Sequence, residues 1–128
     1  MRISRETIVN ISPQIRSIQK WKDTLTKSID VAGTKFVYRQ LGPAAGVPLI
    51  MLNHWGAVLD NFDPRIVDGL AATRPVIALN YRGVGASGGA APLTVAEMAD
   101  DAIAFIRALG FSKVDLLGFS LGGFVAQD

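Results

Sequence analysis

The sequence predicts an α/β fold built on a parallel sheet, and three observations carry that prediction. Short apolar runs recur at Val47 to Asn53, Val76 to Tyr81 and Val114 to Phe119, the segments between them have helical periodicity, and glycine or proline marks nearly every junction. Apolar runs without polar alternation suit strands buried on both faces, as parallel strands are. Strands that alternate with helices imply right-handed crossovers between neighbours in one sheet.

Residues 1–24 mix Ser, Arg, Gln and Lys with isolated Ile and Pro13, with no sustained period of either kind. They read as an N-terminal extension, flexible and dispensable for the fold, ahead of a domain over residues 25–128. From Ser28, Ile29 and Val31 alternate with polar residues, Ala32-Gly33 turns the chain, and Phe36 and Tyr38 resume the alternation up to Leu41. This is the signature of a β-hairpin. Gly42-Pro43-Ala44-Ala45-Gly46 then breaks the chain before the first parallel strand.

Asp63-Pro64 reads as an N-cap with proline at the first helical position, and Ile66, Val67, Leu70 and Ala71 supply one apolar face until Arg74-Pro75. The second strand ends in the glycine-rich loop Arg82 to Gly89. Thr94 and Glu97 form a capping box, and Val95, Met98, Ala102, Ile103, Ile106 and Leu109 repeat at helical spacing up to Gly110. The third strand runs into Ser120 and a glycine-rich helical start. The expected order is hairpin, then a parallel βαβαβ unit with a last helix opening at Ser120.

Composition narrows the chemistry. The 128 residues include no Cys and one His, so disulfides, thiolate sites and an ordinary zinc site are excluded. No metal or other cofactor is expected. No apolar run approaches the ~20 residues that cross a bilayer. The N-terminus lacks the apolar stretch and small-residue cleavage site of a secretory signal, so a cytoplasmic location is the default expectation. Residues 1–40 carry eight Lys/Arg against three Asp/Glu, whereas residues 41–128 carry five against eight. The basic charges are dispersed and only Trp21 among them is aromatic, which reads as a solvated extension and not as a nucleic-acid or membrane-binding surface.

The sharpest motif is Gly118-Phe119-Ser120-Leu121-Gly122, a G-x-S-x-G with Gly123 behind it. A serine lifted onto a strained strand-to-helix turn crowds the backbone two residues before and after it, and glycine at both positions supplies the room. The new helix points free N–H groups at charge developing near the Ser120 hydroxyl. The sequence context, a strand before and a helix start after, is the one this turn requires. Ser120 is therefore the candidate nucleophile, expected at φ above zero.

Residues 28–128 resemble the N-terminal half of the α/β-hydrolase family. The elements fall in its order, and Asn80-Tyr81-Arg82-Gly83-Val84-Gly85-Ala86-Ser87 is similar to its D-x-R-G-x-G-x-S loop, with Asn80 where Asp is common. The family usually carries His-Gly after its third strand, and this chain reads Asn53-His54-Trp55-Gly56. Two registers are open. Counting back from Phe62-Asp63-Pro64, which resembles the family's aromatic-x-Pro helix entry, gives Asn53 the histidine's place and Trp55 the oxyanion donor's. That register makes the N–H groups of Trp55 and Leu121 the oxyanion hole.

The resemblance implies a serine hydrolase acting on an ester or similar carbonyl of a small-molecule substrate. Its triad order, Ser then acid then His, puts the acid and base after later strands, while this sequence ends eight residues past Ser120. The chain is accordingly expected to be a fragment, inactive alone, with an exposed sheet edge open to self-association. His54 precedes Ser120 and reads as structural. A metal-free haloperoxidase or perhydrolase-like member is an alternative, as is a non-catalytic binding protein that keeps the half-fold. Gly83-Val84-Gly85-Ala86-Ser87-Gly88 also matches a dinucleotide fingerprint, but Gly89 to Pro92 separate it from the next helix and no acidic residue ends a second strand some 20 positions on, so no NAD site is expected.

Overall fold

A computed structural model of the chain describes residues 20–128. The hairpin pairs β1 (Lys27–Val31) with β2 (Thr34–Leu41), antiparallel. Its turn is Ala32-Gly33, both at positive φ, 51° and 87°. The remaining strands are β3 (Leu49–Leu52), β4 (Val76–Leu79) and β5 (Asp115–Gly118), and the sheet order is β1-β2-β4-β3-β5. β3 runs parallel to both β4 and β5, while β2 joins β4 antiparallel. The α/β expectation and its hairpin are thus realised in one mixed sheet.

Three helices connect or follow these strands: α1 (Pro64–Ala71), α2 (Val95–Ala108) and α3 (Leu121–Gln127). Both predicted N-caps form. The Asp63 carboxylate accepts from Arg65 N–H at 2.9 Å, and Thr94 Oγ1 accepts from Glu97 N–H at 3.1 Å while Glu97 Oε2 reaches back to Thr94 N–H at 3.3 Å. Each cap satisfies a donor that the first helical turn cannot satisfy itself.

The sheet separates two apolar layers. Phe36, Ile50, Leu52, Ile77, Leu79 and Phe105 lie in the layer beneath α2 and α3, and Val37, Met51, Val67, Val76, Ala78 and Phe62 in the layer beneath α1. β3 and β4 are buried along their whole length. Among the described residues β5 is an edge strand paired only with β3, as the expected exposed sheet edge requires; burial on both faces, the other expectation for this run, does not hold, since Leu116 is 44% exposed.

The expected N-terminal extension also needs correction. Residues 1–19 lie outside the described residues, but Trp21, placed by the sequence in that extension, is 1% exposed. Its Nε1 donates to Leu59 O at 3.2 Å, its backbone N–H donates to Asp68 Oδ1 at 2.7 Å, and its ring meets Phe62 edge-on with centroids 6.1 Å apart. Arg39 covers the ring at 5.3 Å and reaches Asp60 at 2.7 Å. One tryptophan buries much apolar area without any periodicity to announce it. The packed unit therefore includes Trp21 to Thr24.

Candidate active site

β5 delivers the chain to Ser120, which caps α3 at φ 55°, ψ −117°. Ser120 and Ala32 are the only non-glycine residues at positive φ among the described residues. Such a conformation costs on the order of 1–3 kcal/mol and persists only where the surroundings enforce it. Here they do. Phe119 N–H donates to Leu52 O at 3.0 Å, Gly122 N–H to Phe119 O at 2.9 Å and Gly123 N–H to Ser120 O at 2.9 Å.

The flanking glycines are required by packing. A Cβ on Gly118 would overlap the Gly122 carbonyl and stand 2.6 Å from Gly123 Cα, and one on Gly122 would overlap the Leu52 carbonyl and stand 2.9 Å from Asn53 O. The serine itself is exposed at the carboxyl end of the parallel strands, where open α/β sheets place their ligands.

The loop after β3 sits beside this turn. Asn53 is 4% exposed, and its Oδ1 accepts from His54 N–H at 2.8 Å. Tyr81 Oη donates to Asn53 O at 2.9 Å, and burial pushes the Tyr81 phenol above its ordinary pKa. Gly56 at φ 69° and the bond from Ala57 N–H to His54 O, 3.3 Å, turn the loop back. Trp55 lies in the exposed tip, 69% accessible. The N–H groups of Trp55 and Leu121 donate to no backbone carbonyl among the described residues.

The structure places His54 against Phe119, the residue before Ser120, with ring centroids 5.7 Å apart and an edge-on angle of 76°. Its Nδ1 lies 3.2 Å from Trp55 O. The first contact ties the loop to the Ser120 turn, and the second lies within the loop. Tyr81, which sequence reasoning treated as the end of a strand and a position in the Asn80 to Ser87 motif without a role of its own, braces that loop; a polar-headed aromatic closing a buried strand was the available signal.

The glycine-rich loop closes the other side. Gly83 N–H donates to Gly88 O at 2.8 Å, and Ser87 Oγ donates to Asn80 O at 2.9 Å while accepting from Val37 N–H at 3.0 Å. Arg82 Nε meets Asp101 Oδ2 at 2.8 Å. The next helix opens only at Val95, so no helix N-terminus follows the glycines directly.

A cavity of about 250 Å³ lies on the α1 side, lined by Met51, Leu117, Phe62, Ile66 and Phe119 together with Asn53 and His54. Its lining is mainly apolar. At its edge the Asp63 carboxyl is held below the usual carboxylate range by the Arg65 side chain and backbone N–H. Among the described residues, no group of three His, Asp or Glu converges as a metal site would require, and no helix is long and apolar enough to cross a membrane.

The chain belongs to the alpha/beta hydrolase fold family, whose model matches residues 47–127. It is 31% identical over 107 residues to a proline iminopeptidase of Pestalotiopsis fici, covering 80% of this chain and 38% of that protein. An alpha/beta hydrolase fold protein from Chitinophaga pinensis is 45% identical, with a TM-score of 0.83 over 85% of this chain and 40% of that one. A hydrolase from Pseudomonas aeruginosa is 30% identical, with a TM-score of 0.71 over 80% of this chain and 39% of that one. The chain thus spans about two fifths of the length of these relatives.

Proposed function

We propose that this sequence carries the nucleophile and oxyanion donors of a serine hydrolase acting on an ester or similar carbonyl of a small molecule. The observation that carries the reading is the backbone of Ser120: a non-glycine residue held at φ 55° between two glycines that admit no side chain. That arrangement lifts the hydroxyl clear of the sheet, where a substrate carbonyl can approach.

In this reading Ser120 Oγ attacks the carbonyl carbon, and the carbonyl oxygen takes up the charge. The N–H groups of Leu121, opening α3, and of Trp55, in the neighbouring loop, hold that oxyanion; both have no backbone acceptor among the described residues. A serine hydroxyl is a weak nucleophile until a general base takes its proton. We assign neither that base nor its acid partner to a residue of this sequence, because the contacts of His54 are to Phe119 and Trp55.

The test is initial hydrolysis of p-nitrophenyl butyrate by three proteins: the 128-residue chain, the chain joined to the remaining C-terminal portion of its Chitinophaga relative, and that fusion with Ser120→Ala. Negligible turnover by the first, turnover by the second and its loss in the third are expected. A folded, active fusion indifferent to Ser120→Ala would favour a binding role for this half of the fold.

A further inference from the structure

Two asparagines immediately follow the two most buried strands, Asn53 after β3 and Asn80 after β4. They are 4% and 5% exposed. Asn53 Nδ2 is a donor, and Asn80 Oδ1 an acceptor, that are buried and find no hydrogen-bond partner among the described residues. Leaving a buried polar group unpaired is unfavourable, and here two unpaired groups have opposite polarity.

Their positions bring them together. β3 and β4 are parallel with Met51 beside Ala78, and that register carried two residues further sets Asn53 beside Asn80. Side chains alternate between faces along a strand, so both asparagines leave the sheet on the face of Met51 and Ala78, the layer beneath α1. Neighbouring strands lie about 4.8 Å apart. Two hydrogen bonds of about 2.9 Å meeting at one tetrahedral oxygen span nearly the same distance, about 4.7 Å. The two amides do not bond each other directly, yet a hydroxyl oxygen between them can accept from one and donate to the other.

We propose that Asn53 Nδ2 and Asn80 Oδ1 form a site for one hydroxyl oxygen, occupied in the free protein by a long-lived water. The site joins two loops. The remaining amide oxygen of Asn53 holds His54 N–H at 2.8 Å and so anchors the segment leading to Trp55. Asn80 O holds Ser87 Oγ at 2.9 Å, and a Cβ on Gly85 would stand 2.6 Å from Asn80 Nδ2 and 3.0 Å from Val58 Cγ1. The bridge therefore ties the loop after β3 to the glycine-rich loop after β4, and Asn53 and Asn80 are positioning residues for both. This inference does not depend on Trp55 being an oxyanion donor.

The experiment uses the full 128-residue chain, labelled with ¹⁵N. In the unsubstituted protein, the Asn53 side-chain amide protons are expected to exchange at least about tenfold more slowly than those of exposed Asn61 and to show a cross-peak to long-lived water. Asn80→Leu removes the acceptor and is expected to abolish that cross-peak. The double variant Asn53→Leu/Asn80→Leu is expected to lose less in its unfolding equilibrium constant than the product of the single losses, by about tenfold. Asn53 amide protons that exchange as fast as those of Asn61 overturn the proposal, as does a water cross-peak that survives Asn80→Leu or single losses that simply multiply.

Discussion

Gly122 packs directly on the Leu52 carbonyl, so that the first turn of α3 rests against the end of β3 with no space for a methyl group. Both partners are backbone, and neither can move without breaking the Phe119 N–H bond to the same carbonyl. Gly122→Ala is therefore expected to destabilise the chain by about 3 kcal/mol, read from urea unfolding. Gly69→Ala is the control, since a Cβ there meets nothing within 4 Å. A Gly122→Ala cost no larger than the control's would contradict the packing argument for the strand-to-helix turn at Ser120, the elbow of the chain.

Trp21 predicts the behaviour of the N-terminal segment. Trp21→Ala removes a ring that is 1% exposed and is expected to cost about 3–5 kcal/mol. Trp21→Phe keeps most of the apolar area but leaves Leu59 O without the indole donor, and should cost about 1 kcal/mol. Thermal melts of the two variants check the order. Equal, negligible effects would restore the reading of residues 20–24 as a dispensable arm.

Tyr81 sets an alkaline limit on stability. Its folded pKa is raised by burial, so its contribution is fully present below the unfolded phenol's pKa of about 10 and is lost as the pH climbs above that value toward the raised folded one. Tyr81→Phe should remove this part of the alkaline decline while costing about 1–3 kcal/mol at neutral pH, because Asn53 O loses its donor. Unfolding midpoints between pH 8 and 11 for both proteins measure the difference. Parallel profiles would show that the phenol does not titrate with folding.

Asp63 sets an opposite, acid limit. Arg65 lowers its carboxyl, so the capping contribution is present above the unfolded carboxylate pKa of about 3.9 and is lost as the pH falls through the lower folded value. Asp63→Ala should lower the melting temperature at neutral pH, and its difference from the unsubstituted protein should vanish in acid, where the Asp63 carboxyl is protonated. Circular dichroism melts at pH 7 and pH 2 test it.

β5 offers a free side. Its outer hydrogen-bonding groups face no strand among the described residues, and Leu116, Phe119 and Phe124 are 44%, 59% and 65% exposed around it. Exposed edges of this kind invite pairing. Sedimentation velocity should show association that rises with concentration and is weakened by Leu116→Lys. A monomer at all concentrations would leave the edge without that partner.

The elbow was legible because its demands are local: glycine two residues before and after a serine, behind an apolar run, states both the strain and its relief. The helix entries at Asp63-Pro64 and Thr94 to Glu97 were legible for the same reason. Trp21 was not, since one buried ring in a polar segment leaves no period. Strand ends contracted, Val47 to Asn53 becoming Leu49–Leu52, because apolar character continues past the last paired residue. The neighbourhood of Asn53 and Asn80 needed the register of two strands, which no short stretch of sequence contains.

The central claim, that Ser120 is the nucleophile, is tested most directly by peptide mass mapping after reaction with a fluorophosphonate. The chain joined to the C-terminal portion of its Chitinophaga relative should carry one phosphonyl adduct on Ser120, and Ser120→Ala should carry none. An ester-hydrolysing fusion whose Ser120 stays unmodified, or whose adduct maps to another residue, would contradict the account.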